Sequence, residues 1–68
     1  MKKGTLVKVR EAMVVNGTGD AQALRLHGPL WVIEERNADI LALYWAKSLA
    51  TGELHLWYAH ELEEPEDG

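Results

Sequence analysis

Residues 28–62 read GPLWVIEERNADILALYWAKSLATGELHLWYAHEL and contain all three tryptophans and both tyrosines of the chain. No other segment holds enough large apolar side chains to start a hydrophobic core. A chain of 68 residues buries only about 60% of the surface that its unfolded form exposes. Because the sequence has no cysteine, neither disulfides nor thiolate metal sites can stabilise it. We therefore expect one small domain stabilised by aromatic packing, by association, or by both.

Two β-strands can be placed in this stretch from local patterns. Residues 30–36 form a continuous apolar run that ends in charged residues, and Pro29 before it disfavours a helix. Residues 54–58 follow a turn at Gly52 and combine β-prone side chains with the alternation typical of a strand. The next four residues, 59–62, are predicted to form a single helical turn.

The segment between these strands supports two interpretations. As a strand, residues 40–47 would carry apolar side chains on both faces, which is typical of a central strand covered on two sides. As a helix, residues 38–50 would begin after an N-cap at Asn37 and end at Gly52. We favour the strand, because the second aromatic run at 54–58 follows a glycine-containing turn, as in a β-hairpin.

The N-terminal part begins with a predicted strand over residues 4–10, which are rich in β-prone side chains. Its apolar continuation stops at the pair Asn16-Gly17, a combination typical of a tight hairpin turn. Residues 20–27 support three interpretations. They could form an alternating strand, a short helix capped by its first residue and ended by Gly28, or an irregular segment.

The net charge of −4 is distributed unevenly along the chain. Residues 1–60 contain seven Lys or Arg and six Asp or Glu, whereas the last eight residues contain five acids. We therefore predict one domain over residues 1–62 and an acidic tail over residues 63–68. If the terminal strands pair, these acids would lie beside the basic residues near the N-terminus, which are Lys2, Lys3, Lys8 and Arg10.

The basic residues do not predict a nucleic-acid interface, because four partly offset charges without an arginine-aromatic groove fall short of the usual footprint. A membrane-spanning helix is not predicted either, since no apolar run approaches the ~18 residues that it needs. Charged residues interrupt any signal-like segment after Lys2 and Lys3. We therefore expect a cytoplasmic protein without membrane insertion.

The predicted order is one strand, a long connecting segment, three further strands and a short helical turn. This order predicts a mainly β fold. We expect a small SH3-like (Src-homology-3-like) β-barrel of four to five strands with a short helical turn near the C-terminus. In the second half, a Gly-Pro pair opens a strand, a later strand carries aromatics, and an acid precedes a closing leucine. This half resembles the YodC-like small bacterial proteins through Gly28, Pro29, Leu30, Val32, Tyr44, Trp45, His60, Glu61 and Leu62.

The two ends of the chain, KKGTLVKV and LHLWYAHELE, look like those of subunit O of the photosynthetic NAD(P)H:plastoquinone oxidoreductase. That subunit begins with a KKGxLVKV-type strand and ends on a Trp-Leu strand leading to Leu-Glu. Each resemblance covers about half of the chain. Both imply a barrel that acts as an accessory subunit or interaction module, without catalytic residues or cofactors.

His55, His60 and Glu61 are the sequence's nearest approach to a metal-binding set. Residues 55 and 60 would point to opposite faces of a strand, so they could not share a metal ion without a bend. The paired acids at 34–35 would diverge on a strand, so they do not form the dyad that acid–base catalysis needs. We therefore predict neither a metal site nor an enzyme.

The aromatic side chains are the remaining candidates for function. The tryptophans stand at the odd positions 31, 45 and 57, and the tyrosines at the even positions 44 and 58. If the odd face points inward, the tryptophans form the core and the tyrosines lie outside. Because Trp and Tyr are enriched at interface hot spots, our candidate partner-binding residues are Tyr44, Tyr58, Trp31, Trp57 and His55.

We expect a non-catalytic protein-interaction module or accessory subunit that binds a protein partner through an aromatic surface. One alternative is a small acidic regulator or inhibitor of a basic host protein, encoded by a phage or mobile element. Another is a homo-oligomer with a site at its own interface. The salt dependence of binding distinguishes the interaction module from the acidic regulator, because binding through an acidic tail weakens steeply as the ionic strength rises.

Overall fold

The computed structural model describes residues 1–65, which form five β-strands and one α-helix. The helix, α1 (Gly19–His27), precedes most of the sheet in the chain. Two short 3-10 turns occupy Glu11–Met13 and Ala59–Glu61. The strands are β1 (Leu6–Val9), β2 (Leu30–Arg36), β3 (Leu43–Ser48), β4 (Leu54–Tyr58) and β5 (Leu62–Glu63).

All five strands belong to one antiparallel sheet in the order β4-β3-β2-β1-β5. The first four form a meander, and the chain then crosses to place β5 beside β1. The sheet is open, because β4 and β5 end it on opposite sides without pairing with each other within residues 1–65. The predicted mainly β class is therefore confirmed, whereas a closed barrel is not.

The strands predicted over residues 30–36 and 54–58 are confirmed, as is the helical turn after them. The segment between these two strands forms β3, so the strand interpretation is confirmed and the alternative helix over residues 38–50 is wrong. The Asn37 side-chain oxygen accepts the backbone N–H groups of Asp39 and Ile40, as an N-cap would. No helix follows, because the Asn37 N–H donates to Leu43 O at 2.8 Å and closes the turn between β2 and β3. As a result, β3 starts at Leu43 and not at residue 40.

The apolar residues after β1 do not continue the strand, and the hairpin predicted at Asn16-Gly17 is wrong. A 3-10 turn follows β1, and the chain then enters α1, so the helical interpretation of residues 20–27 is the correct one. Its N-cap is Thr18, whose hydroxyl accepts the N–H of Ala21 at 3.3 Å. The helix ends at Gly28 as predicted, where φ of +80° favours glycine.

The core lies between α1 and one face of the sheet, called here the inner face. The indoles of Trp31 and Trp57 are fully buried there and meet edge to face at 5.3 Å. Trp31 Nε1 donates to the backbone oxygen of Gly28 at 2.8 Å, which ties β2 to the end of α1. Other members of the core are Val7, Val9, Ala23, Ile33, Tyr44, Ala46 and Leu62.

The two chain ends meet through β1 and β5, so acids of the predicted tail lie beside basic residues near the N-terminus, as expected if the terminal strands pair. Lys8 lies opposite Glu63 in the strand register, and Arg10 Nε lies 3.6 Å from a carboxylate oxygen of Glu63. Glu63 thus belongs to β5, although it falls within the predicted acidic tail of residues 63–68. The last three residues of that tail, 66–68, lie outside the described residues.

Candidate functional site

Three of the five predicted partner-binding residues belong to the core. Trp31 and Trp57 are 0% exposed and Tyr44 is 8% exposed, so their side chains are turned away from solvent. Tyr58 is exposed, and His55 is half-buried against the inner face. Of the predicted set, the structure therefore leaves Tyr58 as the aromatic side chain that a partner could contact directly.

The expectation that all three tryptophans share one face is wrong, and the strand register explains why. Residues directly opposite each other in neighbouring strands share a face of the sheet. Tyr44 of β3 lies opposite Trp57 of β4, and Ser48 of β3 lies opposite Trp31 of β2. Even-numbered residues of β3 therefore join odd-numbered residues of its neighbours in the core, and Trp45 points outward.

The opposite, outer face of the sheet is predominantly apolar across four strands. One row of paired residues runs from Leu6 through Val32 and Lys47 to Leu54. A second row places Trp45 between Leu56 and Glu35, where a bulge in β2 has shifted the register. We define the outer sheet face by Leu6, Lys8, Leu30, Val32, Glu35, Trp45, Lys47, Leu54, Leu56 and Tyr58.

No element within residues 1–65 covers this face, and several of its large side chains are open to solvent. Leu54 is 54% exposed, Tyr58 41% and Trp45 37%. Large contiguous apolar patches on a protein surface mark interaction sites, and on this face the leucines and aromatic side chains stand beside the charged Lys47 and Glu35. Trp45, Leu54 and Leu56 lie on this face and were not among our sequence-based candidates, because both faces of β3 and β4 carry apolar side chains and only the register distinguishes them.

The β4 end of the sheet also offers unpaired backbone groups. Glu53 O accepts Ser48 N–H at 2.9 Å, and Ala59 N–H donates to Ala42 O at 2.7 Å, so odd-numbered residues from 53 to 59 face β3. The N–H and C=O groups of Leu54 and Leu56 point the other way and have no partner within residues 1–65. Tyr58 N–H also points away from β3, but the carboxylate of Glu61 accepts it at 2.8 Å.

A polar cluster lies beside this strand on the inner face. His55 Nε2 lies 2.8 Å from Asp20 Oδ1, which links β4 to the first turn of α1. Glu61 is 3% exposed, and burial raises the pKa of its carboxyl above the ordinary value, with the nearby Asp20 carboxyl adding to the rise. The Tyr58 N–H and His60 act in the opposite direction on that pKa.

The contacts of this cluster connect secondary-structure elements to one another, which is a structural role. They join α1, β4 and the final 3-10 turn, and the ring of His55 packs against the indole of Trp57 with centroids 4.8 Å apart. Within residues 1–65, no group of three or more His, Cys, Asp or Glu side chains is arranged to hold a metal ion. The cluster therefore links β4 to α1 through His55 and Asp20. It also occupies one backbone N–H of the free β4 edge, that of Tyr58.

Comparisons with known proteins found no match to this chain among protein-family models, curated proteins or solved structures. In the described part of the chain, no helix has the length and apolar character needed to cross a membrane.

Proposed function

We propose that this protein is a non-catalytic interaction module or accessory subunit that binds a protein partner through the outer sheet face. The observation that carries the proposal is the exposure of Trp45 and Tyr58 beside exposed leucines on a face that nothing within residues 1–65 covers. Aromatic side chains surrounded by apolar neighbours are the usual anchors of protein interfaces. The core on the inner face is already complete, so stability alone does not require these residues outside.

We also propose that the domain is a cytoplasmic member of the SH3-like small barrels. The strand order β4-β3-β2-β1-β5 and the 3-10 turn between β4 and β5 support this assignment. An interaction role is consistent with it, since small barrels commonly bind partners through aromatic surface.

The proposal is tested by affinity purification from the source organism, using the wild-type chain and a variant carrying Trp45→Ala and Tyr58→Ala. The matched control is Leu26→Ala, because Leu26 is 69% exposed on α1 and so lies outside the outer sheet face. We expect a partner that the wild type and the control retain and the double variant loses. Equal retention by all three proteins would contradict the proposal.

The alternative of an acidic regulator is favoured by the five acids among the last eight residues. Two of them are already engaged, because Glu61 accepts the Tyr58 N–H and Glu63 lies beside Arg10. Repeating the purification at high salt separates the two functions. A partner held by apolar contacts stays bound, whereas a partner held by acidic side chains is released.

A further inference from the structure

We propose that the β4 edge pairs with the β4 edge of a second copy of this chain, so that two sheets join into one continuous antiparallel sheet. This inference deepens the proposed function, on which it rests, by naming a second copy as the partner of that surface. Adding a strand to an exposed sheet edge is a common mode of protein recognition. A two-fold symmetric pairing makes the same patch serve both copies.

The first support is the contrast between the two edges of the sheet. Natural proteins protect sheet edges with charges, proline, bulges or very short strands. The β5 edge has such protection, because the strand has two residues, ends at Glu63, and is followed by Glu64 and Pro65. The β4 strand, LHLWY, contains no lysine, acid, proline or glycine, so its edge is open to another strand.

The second support is the pattern of unpaired backbone groups, which selects one register. Only Leu54 and Leu56 offer both N–H and C=O, since the Tyr58 N–H is held by Glu61. An antiparallel pairing that sets Leu54 opposite Leu56 of the second copy uses all of these groups. It forms four hydrogen bonds and leaves the Glu61 contact intact, with His55 at the two-fold axis.

The third support is that side chains match in this register. On the outer sheet face, Leu54 and Leu56 of both copies form one apolar ribbon, with Trp45 beside it on each side. Tyr58 lies at the end of the paired segment, next to the β3–β4 turn of the second copy, which contains Gly52. In this register Leu54 and Leu56 of each copy serve as the partners of Leu56 and Leu54 of the other, so the edge is complementary to itself, and this favours a second copy over a peptide.

Charges are also compatible with this pairing. Glu53, which is exposed, lies opposite Trp57 of the second copy and diagonally from its His55, so an acid approaches an imidazole from each side. The two His55 residues face each other at the axis, and each already has the carboxylate of its own Asp20 at 2.8 Å. No two acids lie opposite each other.

The test measures the mass of the full chain in solution over a concentration series, by sedimentation velocity and light scattering. We expect a reversible dimer. Leu54→Pro removes an N–H that points away from β3, and proline is tolerated at the first residue of an edge strand. Losing two of the four hydrogen bonds should weaken the dimer about 30-fold, in addition to the change seen in the Leu54→Ala control, which keeps the N–H.

A second pair of variants tests the side chains. Leu56→Lys places a charge in the ribbon and should abolish the dimer, whereas Leu26→Lys on α1 should leave it intact. Circular dichroism and thermal unfolding show that each variant is folded. Amide exchange supplies an independent readout, because protection at Leu54 and Leu56 should increase with protein concentration while protection at Ala46 stays constant.

Two results would overturn the pairing. One is a wild-type chain that remains a monomer throughout the series, even if its outer sheet face retains another protein; a peptide-like partner would then occupy the edge. The other is a dimer that persists unchanged in Leu54→Pro and Leu56→Lys. Failure of the proposed function gives a different result, in which partner retention does not depend on Trp45 and Tyr58.

Discussion

Both faces of the sheet carry aromatic residues, but the inner face buries them and the outer face leaves them exposed. On the inner face, Trp31 and Trp57 are fully buried and pack against each other in a core that also contains Ala23. On the outer face, Trp45 and Tyr58 belong to neighbouring strands, yet they remain exposed beside leucines. The register of the strands therefore decides whether an aromatic residue is buried in the core or exposed to solvent.

The largest expected effect comes from the inner face. Trp31→Ala should lower the free energy of unfolding by about 3–5 kcal/mol, because it removes a buried indole and leaves a cavity. A domain of this size has about 3–5 kcal/mol in total, so we expect the variant to be largely unfolded at room temperature. Urea unfolding followed by circular dichroism measures the change, and a variant as stable as the wild type would contradict the assignment of Trp31 to the core.

Glu61 lies where the inner face meets the β4 edge, and its removal should have an intermediate effect. Glu61→Ala leaves the backbone N–H of Tyr58 without its acceptor, which should cost about 1–3 kcal/mol at neutral pH. Glu61→Gln is the matched control, because its amide oxygen can still accept that N–H. Equal stability of the two variants in urea unfolding would show that the hydrogen bond contributes little.

The pH dependence of the same residue follows from its raised pKa. The hydrogen bond from the Tyr58 N–H persists when Glu61 is ionised. Because the folded state binds the Glu61 proton more tightly than the unfolded state, the part of the stability that comes from this proton is fully present below the ordinary pKa of 4.5. It is lost as the pH rises from there through the folded pKa. Relative to Glu61→Gln, the wild type should therefore lose stability over that range, which unfolding at a series of pH values measures. A constant difference between them would refute the raised pKa.

A tryptophan substitution on the outer face should affect binding more than stability, unlike Trp31→Ala on the inner face. We expect Trp45→Ala to change the free energy of unfolding by about 1 kcal/mol or less, since it loses cross-strand contacts with Leu56 without opening the core. The same variant should lose its partner in affinity purification. A destabilisation comparable to that of Trp31→Ala would mean that Trp45 serves the fold and not recognition.

The smallest effect is expected at the join between the two chain ends. Arg10→Ala removes an ion pair whose side chains are about half exposed, so the free energy of unfolding should fall by less than about 1 kcal/mol. The difference from the wild type should shrink further at high salt, because exposed charges are screened. A large effect that salt does not change would indicate that the aliphatic part of Arg10 packs against the sheet.

Much of the secondary structure was predictable because its signals are local. The strands at 30–36 and 54–58 are continuous β-prone runs bounded by glycine or proline, and the last helical turn follows directly. The segment at 12–27 was harder to interpret, since Asn16-Gly17 is typical of a hairpin turn but here precedes the N-cap of a helix. There the Thr18 cap and the packing of Ala23 against the sheet favour the helix.

By itself, the sequence determined the mainly β class, the strands at 30–36 and 54–58, and the concentration of aromatic core residues in 28–62. Each of these depends on side chains within a few positions of one another. Only the tertiary structure decided which aromatics face inward, because that depends on the register between strands distant in the chain. The open β4 edge was likewise decided by the strand order, since whether a backbone group is paired depends on which strand lies beside it.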